Sequence, residues 1–289
     1  MPINDYGFLG KDIKQYENEL EVKYKEVFDF YEDINLFLHE MKFKIDVKND
    51  DLQGGTMVGL FCKSLTTFQA IYILFRHYLC NNAENLCRIL FEEMVNVGYC
   101  SLGKDEAKRY LSLQLVNNFE IIKKVSKDEN KKYFIKNFNN SFFKEKSQDE
   151  RKKEIIEKLK SYEIEDTFNK NGEPKAISIR ERIEKINSKG IMHHYLTFYR
   201  IVSNGVHSSP DILERYLIFY KDGLLKELRW GPGAEDPEIS YIFVAIHFML
   251  IISEYLSNYF GIPEKKDTES FFEKMKKLGK KYNYFLEEI

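Results

Sequence analysis

Residues 83–99 read Ala83-Glu-Asn-Leu-Cys-Arg-Ile-Leu-Phe-Glu-Glu-Met-Val-Asn-Val-Gly-Tyr99. At about 100° per residue, Leu86, Ile89, Leu90, Phe91, Met94, Val95 and Val97 cover most of a helical circumference. A helix apolar on most sides is a buried one, which sets the expectation of a helical bundle. The part left uncovered is a narrow polar strip, Asn85, Arg88, Glu92 and Asn96. Glu84 stands four residues before Arg88, the favourable order for a helical ion pair. Such a strip is either a salt-bridge ladder facing water or the wall of a polar cleft, where buried charges need partners.

Helical spacing continues on both sides. Residues 11–45 form a long charged helix with Tyr16, Leu20, Tyr24, Phe28 and Tyr31 on one face. Asp46–Gly55 reads as a polar break stopped by Gly54-Gly55, and the pattern resumes near Thr56 to run through Leu65, Phe68, Ile71 and Phe75 to Leu79. Asn81-Asn82 marks a turn, with Asn82 as N-cap of the next helix. Lys104–Val125 is a further helix, and Lys170-Asn-Gly-Glu-Pro174 is a turn. Ser178 caps a short helix, Ile179–Asn187, stopped at Lys189-Gly190. A helix follows from about Ile191. Another starts at Ser208 or Ser209 ahead of Pro210, carrying Leu213, Tyr216, Leu217 and Phe219 to a stop at Asp222-Gly223. Leu224–Arg229 reads as a short strand or extended linker, and Trp230–Gly233 as a loop. Glu238–Phe260 is an apolar helix and Thr268–Glu288 an amphipathic one.

The expectation is an all-α, multi-helix bundle with a basic helical arm inserted in its middle. Residues 1–50 pack on the body, 51–126 and 175–289 form the core domain, and 127–174 form the arm. The chain of 289 residues is 43% hydrophobic and 31% charged with six prolines, a globular composition. Its net charge of −2 provides no global field for nucleic acid or membrane. Cys62, Cys80, Cys87 and Cys100 form no Cys-x-x-Cys pair, and the start lacks a leader's basic and apolar regions. A reduced, cytoplasmic protein is expected. The run Tyr241–Ile252 is too short to span a bilayer and reads as the core helix, so no membrane partner is expected.

Local charge is less even. Residues 121–160 carry thirteen basic against seven acidic residues, +6, while the rest of the chain carries −8. Tyr133, Phe134, Phe138, Phe142 and Phe143 are interleaved with the lysines. Basic residues mixed with aromatics hold phosphates and stack bases, which makes Lys123, Lys124, Lys152 and Lys153 candidates for nucleic-acid contact. A solvated arm whose aromatics pack on the body has the same composition.

The candidate chemistry lies in Tyr199-Arg-Ile-Val-Ser-Asn-Gly-Val-His-Ser-Ser-Pro210. On a regular helix His193, Arg200 and His207, seven apart, form one column with Ser203 and Asn204 on its flanks. Ile191, Tyr195, Phe198, Val202 and Val206 form the opposite, core-facing side. Metal-free RNA cleavage needs a base for the 2′-hydroxyl, a cation for the phosphate and an acid for the leaving oxygen. Histidine titrates near neutrality and arginine stays charged. A homodimer brings the missing acid from its second copy. The same pattern also describes a solvated polar face. No Gly-rich phosphate loop, Gly-x-Ser-x-Gly elbow or His-Glu-x-x-His pair is present, and neither a metal nor a cofactor is expected. His193-His194 with Glu92 or Glu93 is a poor metal set, because adjacent helical histidines point about 100° apart. His247, which shares a column with Ser240 and Glu254, reads as a core histidine satisfied by a hydrogen bond.

Two resemblances attach to these residues. Arg88-x-x-x-Glu92 together with Tyr199-x-x-x-Ser203-x-x-x-His207-Ser-Ser-Pro210 resembles a bacterial family known only as a domain of unknown function, over roughly residues 60–260. That resemblance implies a helical, cytoplasmic protein in which Arg88, Glu92, Tyr199, Ser203 and His207 converge on one cleft. Arg200-Ile-Val-Ser-Asn-Gly-Val-His207 is similar to the Arg-x(4–6)-His motif of the HEPN ribonucleases. These are helical, usually dimeric RNA-cutting toxins and antiviral effectors, many of them metal-independent. This second resemblance implies catalytic Arg200 and His207, an RNA substrate, a homo-oligomer, and an antitoxin or defence-system partner protein. Where that family usually follows the arginine with a polar residue, this chain has Ile201, and Asn204, one turn on, takes its place. The alternative reading is a non-catalytic helical module that senses an anion or docks a partner through the same cleft.

Overall fold

Asp51 decides where the second helix begins. Its carboxylate accepts the Gly54 backbone N–H at 2.8 Å, so α2 runs Leu52–Arg76 and Gly54-Gly55 lie inside its first turn. The two glycines therefore do not stop the preceding segment. A Cβ on Gly54 would sit 2.1 Å from the Asp51 carboxylate and 3.1 Å from the Phe260 ring, so glycine is what allows the cap to close.

The computed structural model describes residues 7–127, 147–164, 167–200, 216–235, 237–263, 265–282 and 284. The other helices are α1 (Ile13–Lys42), α3 (Cys80–Ser101), α4 (Lys104–Lys127), α5 (Gln148–Lys160), α6 (Ile179–Ile186), α7 (Lys189–His194), α8 (Ser240–Phe260) and α9 (Lys265–Lys281). Short 3₁₀ turns occupy Gly7–Leu9 and Gly231–Ala234. The described chain is predominantly helical, as its periodicity predicts, with one small sheet.

α3 and α8 form the centre. Both pack on α2 and on each other, and α1, α4, α6 and α9 enclose them. Residues Phe243 to Leu250 are all buried, so α8 has no solvent face over two turns. α2 and α8 are long and apolar enough to cross a membrane by length and composition. The 21-residue α8 exceeds the twelve-residue run read from sequence, and what accounts for its apolarity is burial within the bundle. α1 kinks at Tyr24 and lays Val27, Phe28, Tyr31 and Ile34 into the core. Tyr31 stacks on Phe68 at 3.8 Å, and its hydroxyl donates to the Phe68 carbonyl at 2.7 Å.

Where α3 crosses α8, a Cβ on Gly98 would meet the Tyr255 ring at 2.9 Å. Gly98→Ala is therefore expected to destabilise the fold by ~1–3 kcal/mol through overpacking. Urea denaturation measures this, and an unchanged midpoint would refute so close an approach.

Several boundaries differ from the sequence reading. α3 starts at Cys80 rather than after Asn82, because Tyr78 turns the chain in the left-handed region, φ 62°. Ser178 caps α6 as expected, in a capping box with Glu181. That helix ends at Asn187 in left-handed conformation, and Lys189-Gly190 open α7 instead of closing α6. The helix expected to continue to Phe219 is absent from that point: Leu217–Phe219 is a strand, β1, paired antiparallel with β2 at Leu225–Leu228. Asp222-Gly223, read as a helix stop, is the hairpin turn, with Gly223 at φ 84°. α9 begins at Lys265, three residues before Thr268.

Within the arm, α5 packs on α4 through a second, smaller core of Val116, Phe119, Ile122, Ile155 and Leu159. Ser147 caps α5 with Glu150 in a second capping box. The arm's aromatics, Tyr133, Phe134, Phe138, Phe142 and Phe143, lie outside the described residues.

Candidate functional site

The polar strip of α3 is partly covered. Tyr199 covers its first half and Arg182 of α6 its second. The Tyr199 hydroxyl donates to Glu92 Oε1 at 2.8 Å and accepts from Arg88 Nη2 at 3.3 Å. Arg88 Nε lies 3.3 Å from the same Glu92 oxygen, an ion-pair distance without a hydrogen bond among the described residues, so the phenol is what joins guanidinium to carboxylate. Arg88 therefore pairs with Glu92, four residues on, where the sequence order suggested Glu84. The guanidinium also lies over the Tyr199 ring, 5.1 Å from its centroid. Burial raises the phenol's pKa, with Arg88 opposing and Glu92 adding to the rise, so Tyr199 remains a donor at neutral pH. Packing on Phe91 at 5.3 Å and stacking on Tyr195 at 5.3 Å fix the ring.

Tyr199 reaches α3 because the backbone around it is not a regular α-helix. α7 ends at His194, and Tyr195–Tyr199 form a π turn, a widened turn of the kind found often at functional sites. The wider turn shifts the register, so the seven-residue column drawn for a regular helix does not carry through it. His193 and Arg200 are both exposed on either side of the turn. Ile191 is buried, and Tyr195 and Phe198 pack against the core as expected. Among the described residues Arg200 makes no hydrogen bond or ion pair. Ser203, Asn204 and His207 lie outside the described residues.

The structure thus brings together Arg88, Glu92 and Tyr199 and leaves His193 apart. Sequence reasoning passed over Arg182, whose Nη1 donates to Asn96 Oδ1. The signal for it was its place on a short helix with only Ile179, Ile183 and Ile186 to bury, which sets α6 flat on a partner.

Beneath the π turn, His194 meets His247 of α8 edge-on at 5.2 Å between ring centroids. His247 is only 4% exposed. Among the described residues, its Nδ1 and the Nε2 of His194 are buried without a hydrogen-bond partner, contrary to the expectation that His247 is satisfied. Burial, then the other imidazole, pushes His247 down to about 3; burial, then His193, pushes His194 down to about 4. Both rings are neutral at pH 7.

Of the candidate nucleic-acid lysines, Lys124 and Lys153 are exposed. Lys123 is held by Glu173 at 2.7 Å and Lys152 lies 3.8 Å from Asp149, which leaves these two less available to a phosphate.

Replacing Tyr199 by Phe keeps the ring packing and removes only the hydroxyl between two charged groups. The expected loss is about 1 kcal/mol of stability, read from denaturant midpoints. A midpoint equal to wild type would mean the three groups are not coupled.

No curated protein and no solved structure matches the chain. Residues 56–223, more than half the chain and the part that runs from within α2 through β1 and holds Arg88, Glu92 and Tyr199, match the model of a family of unknown function (DUF5677), and the chain belongs to that family.

Proposed function

We propose that the chain is a HEPN-like, metal-independent RNA endonuclease acting in the cytoplasm as a defence effector or toxin. In this reading Arg200 binds the scissile phosphate, His207 acts as acid or base, and Asn204 orients the substrate. The Arg88–Glu92–Tyr199 set works as a clamp on the π turn. The observation that carries the reading is that Tyr199 is tied to α3 while its neighbour Arg200 is exposed with no partner among the described residues. An exposed guanidinium with no internal partner to give up can meet a phosphate directly. A second copy of the chain would supply a second histidine for the other proton transfer.

The test is incubation of pure protein with total RNA in chelator, beside the Arg200→Ala/His207→Ala double variant. Cutting by the wild type alone supports the reading, and intact RNA in both samples overturns it. A second reading, a non-catalytic module that senses an anion or docks a partner, is favoured by the Arg88–Glu92–Tyr199 set, in which one phenol ties a guanidinium to a carboxylate as in a structural cleft. Intact RNA together with retained partner binding would select it.

A further inference from the structure

The β1–β2 hairpin carries more apolar surface than its size explains. Its strands pack chiefly on each other, and Phe219, Tyr220, Leu224, Leu225, Leu228 and Trp230 are each 44–65% exposed. Large apolar side chains crowded onto so short a stretch mark a contact site. The register shows how they are arranged. Leu217 faces Leu228, and Phe219 faces Leu225 beyond a bulge. Directly opposed residues share a face, so these four lie on one side of the hairpin. Glu227 and Arg229 lie on the other, paired at 3.0 Å and both partly exposed.

Two strands alone are marginally stable, and each presents an unpaired edge. The Arg229 N–H donates to the Tyr216 carbonyl at 2.8 Å, so Leu228, one residue earlier, directs its own N–H and C=O outward. Neither group has a partner among the described residues. We infer that β2 pairs antiparallel with β2 of a second copy of this chain, centred on Leu228. A two-fold axis at that point sets Leu228 against its own copy, the two residues exchanging both N–H···O=C bonds. The flanking residues meet in the closer, non-hydrogen-bonded pairs, Glu227 against the partner's Arg229 and Arg229 against the partner's Glu227. Glu227-Leu228-Arg229 is therefore complementary to itself in sign. That favours a second copy over an anionic lipid surface, which Glu227 and Asp222 would oppose. The joined sheet has four strands and brings the two Leu228 side chains together on its apolar face. The contact is small, so a weak dimer is expected. The inference does not rest on the nuclease reading, because its test reads mass and not cleavage.

Sedimentation equilibrium of the full chain, from micromolar to near-millimolar concentration, tests it. Wild type should pass from monomer to dimer across that range. Glu227→Arg and Arg229→Glu each set like charges opposite one another at both ends of the contact, and each should weaken dimerisation by roughly tenfold or more. Mixed in equal amounts, the two variants should dimerise again, since each supplies the sign the other lacks. Leu228→Pro should remain a monomer with its hairpin intact, because the N–H it removes points outward. Wild type that stays monomeric throughout overturns the inference, and its flotation with anionic vesicles would then assign the hairpin to a lipid surface. Charge variants that dimerise like wild type, or that fail to recover on mixing, overturn it as well.

Discussion

Arg200→Ala is expected to lower RNA cleavage by about two to four orders of magnitude while leaving the unfolding midpoint unchanged. Removing one donor that stabilises a developing oxyanion costs roughly 10²–10³ in rate, and losing a general acid or base costs about 10²–10⁴. The side chain is exposed, and an exposed residue without partners contributes within about 0.5 kcal/mol to folding. His207→Ala should fall in the same range, and the double variant should be little worse than either single one, because residues acting on one transition state are non-additive. Arg88→Ala should behave differently, losing stability along with activity because it breaks the tie that holds Tyr199. Initial rates on a labelled RNA, measured beside denaturation curves, distinguish these patterns. An Arg200→Ala enzyme with wild-type rate would remove the arginine from the chemistry.

The second large effect is on acid stability. His194 and His247 are held in the folded state at about 4 and about 3, below the unfolded value near 6.5. The unfolded chain therefore binds protons first as pH falls. Stability is full above about pH 6.5, declines below it, and stops declining from this source once the pH passes the folded values. Between about pH 6 and 4 the two rings together should cost up to ~2.7 kcal/mol per pH unit. His247→Phe removes one titration and fills the same apolar surroundings beside Phe248 and Phe272, so its slope should be roughly half that of wild type. Urea midpoints at pH 7, 6 and 5 for both proteins measure this. Parallel curves would mean that His247 is solvated or bonded in the native state.

The helices were legible because their signal is local. α1 carries apolar residues on one face at helical spacing, α3 and α8 carry them over most of their circumference, and Ser178 with Glu181 writes a capping box three residues apart. Departures arose where tertiary contacts outweigh local pattern. Gly54 reads as a breaker, yet it is the residue that lets Asp51 cap α2. Leu217 and Phe219 suit a helix or a strand equally, and only pairing with β2 decides between them. The π turn leaves no mark in hydrophobic spacing, so a column drawn through His193 and Arg200 was bound to drift.

The site followed the same division. Arg88, Glu92 and Asn96 were visible as the polar remainder of an apolar helix, and Tyr199 through a family motif. That Tyr199 sits between Arg88 and Glu92 depends on how α3 meets the π turn, which spacing does not encode. Arg182 was missed because a lone arginine on a short charged helix looks like any solvated residue until α6 is placed against α3. His194 and His247, 53 positions apart in the chain, become neighbours only through the bundle.

The ends of the RNA fragments made by wild-type protein in chelator test the central claim most directly. A metal-free attack by the 2′-hydroxyl, with Arg200 on the phosphate and His207 moving the proton, predicts 2′,3′-cyclic phosphate and 5′-hydroxyl ends that vanish in Arg200→Ala/His207→Ala. Fragments with 5′-phosphate ends, or cutting that requires an added divalent ion, would contradict it.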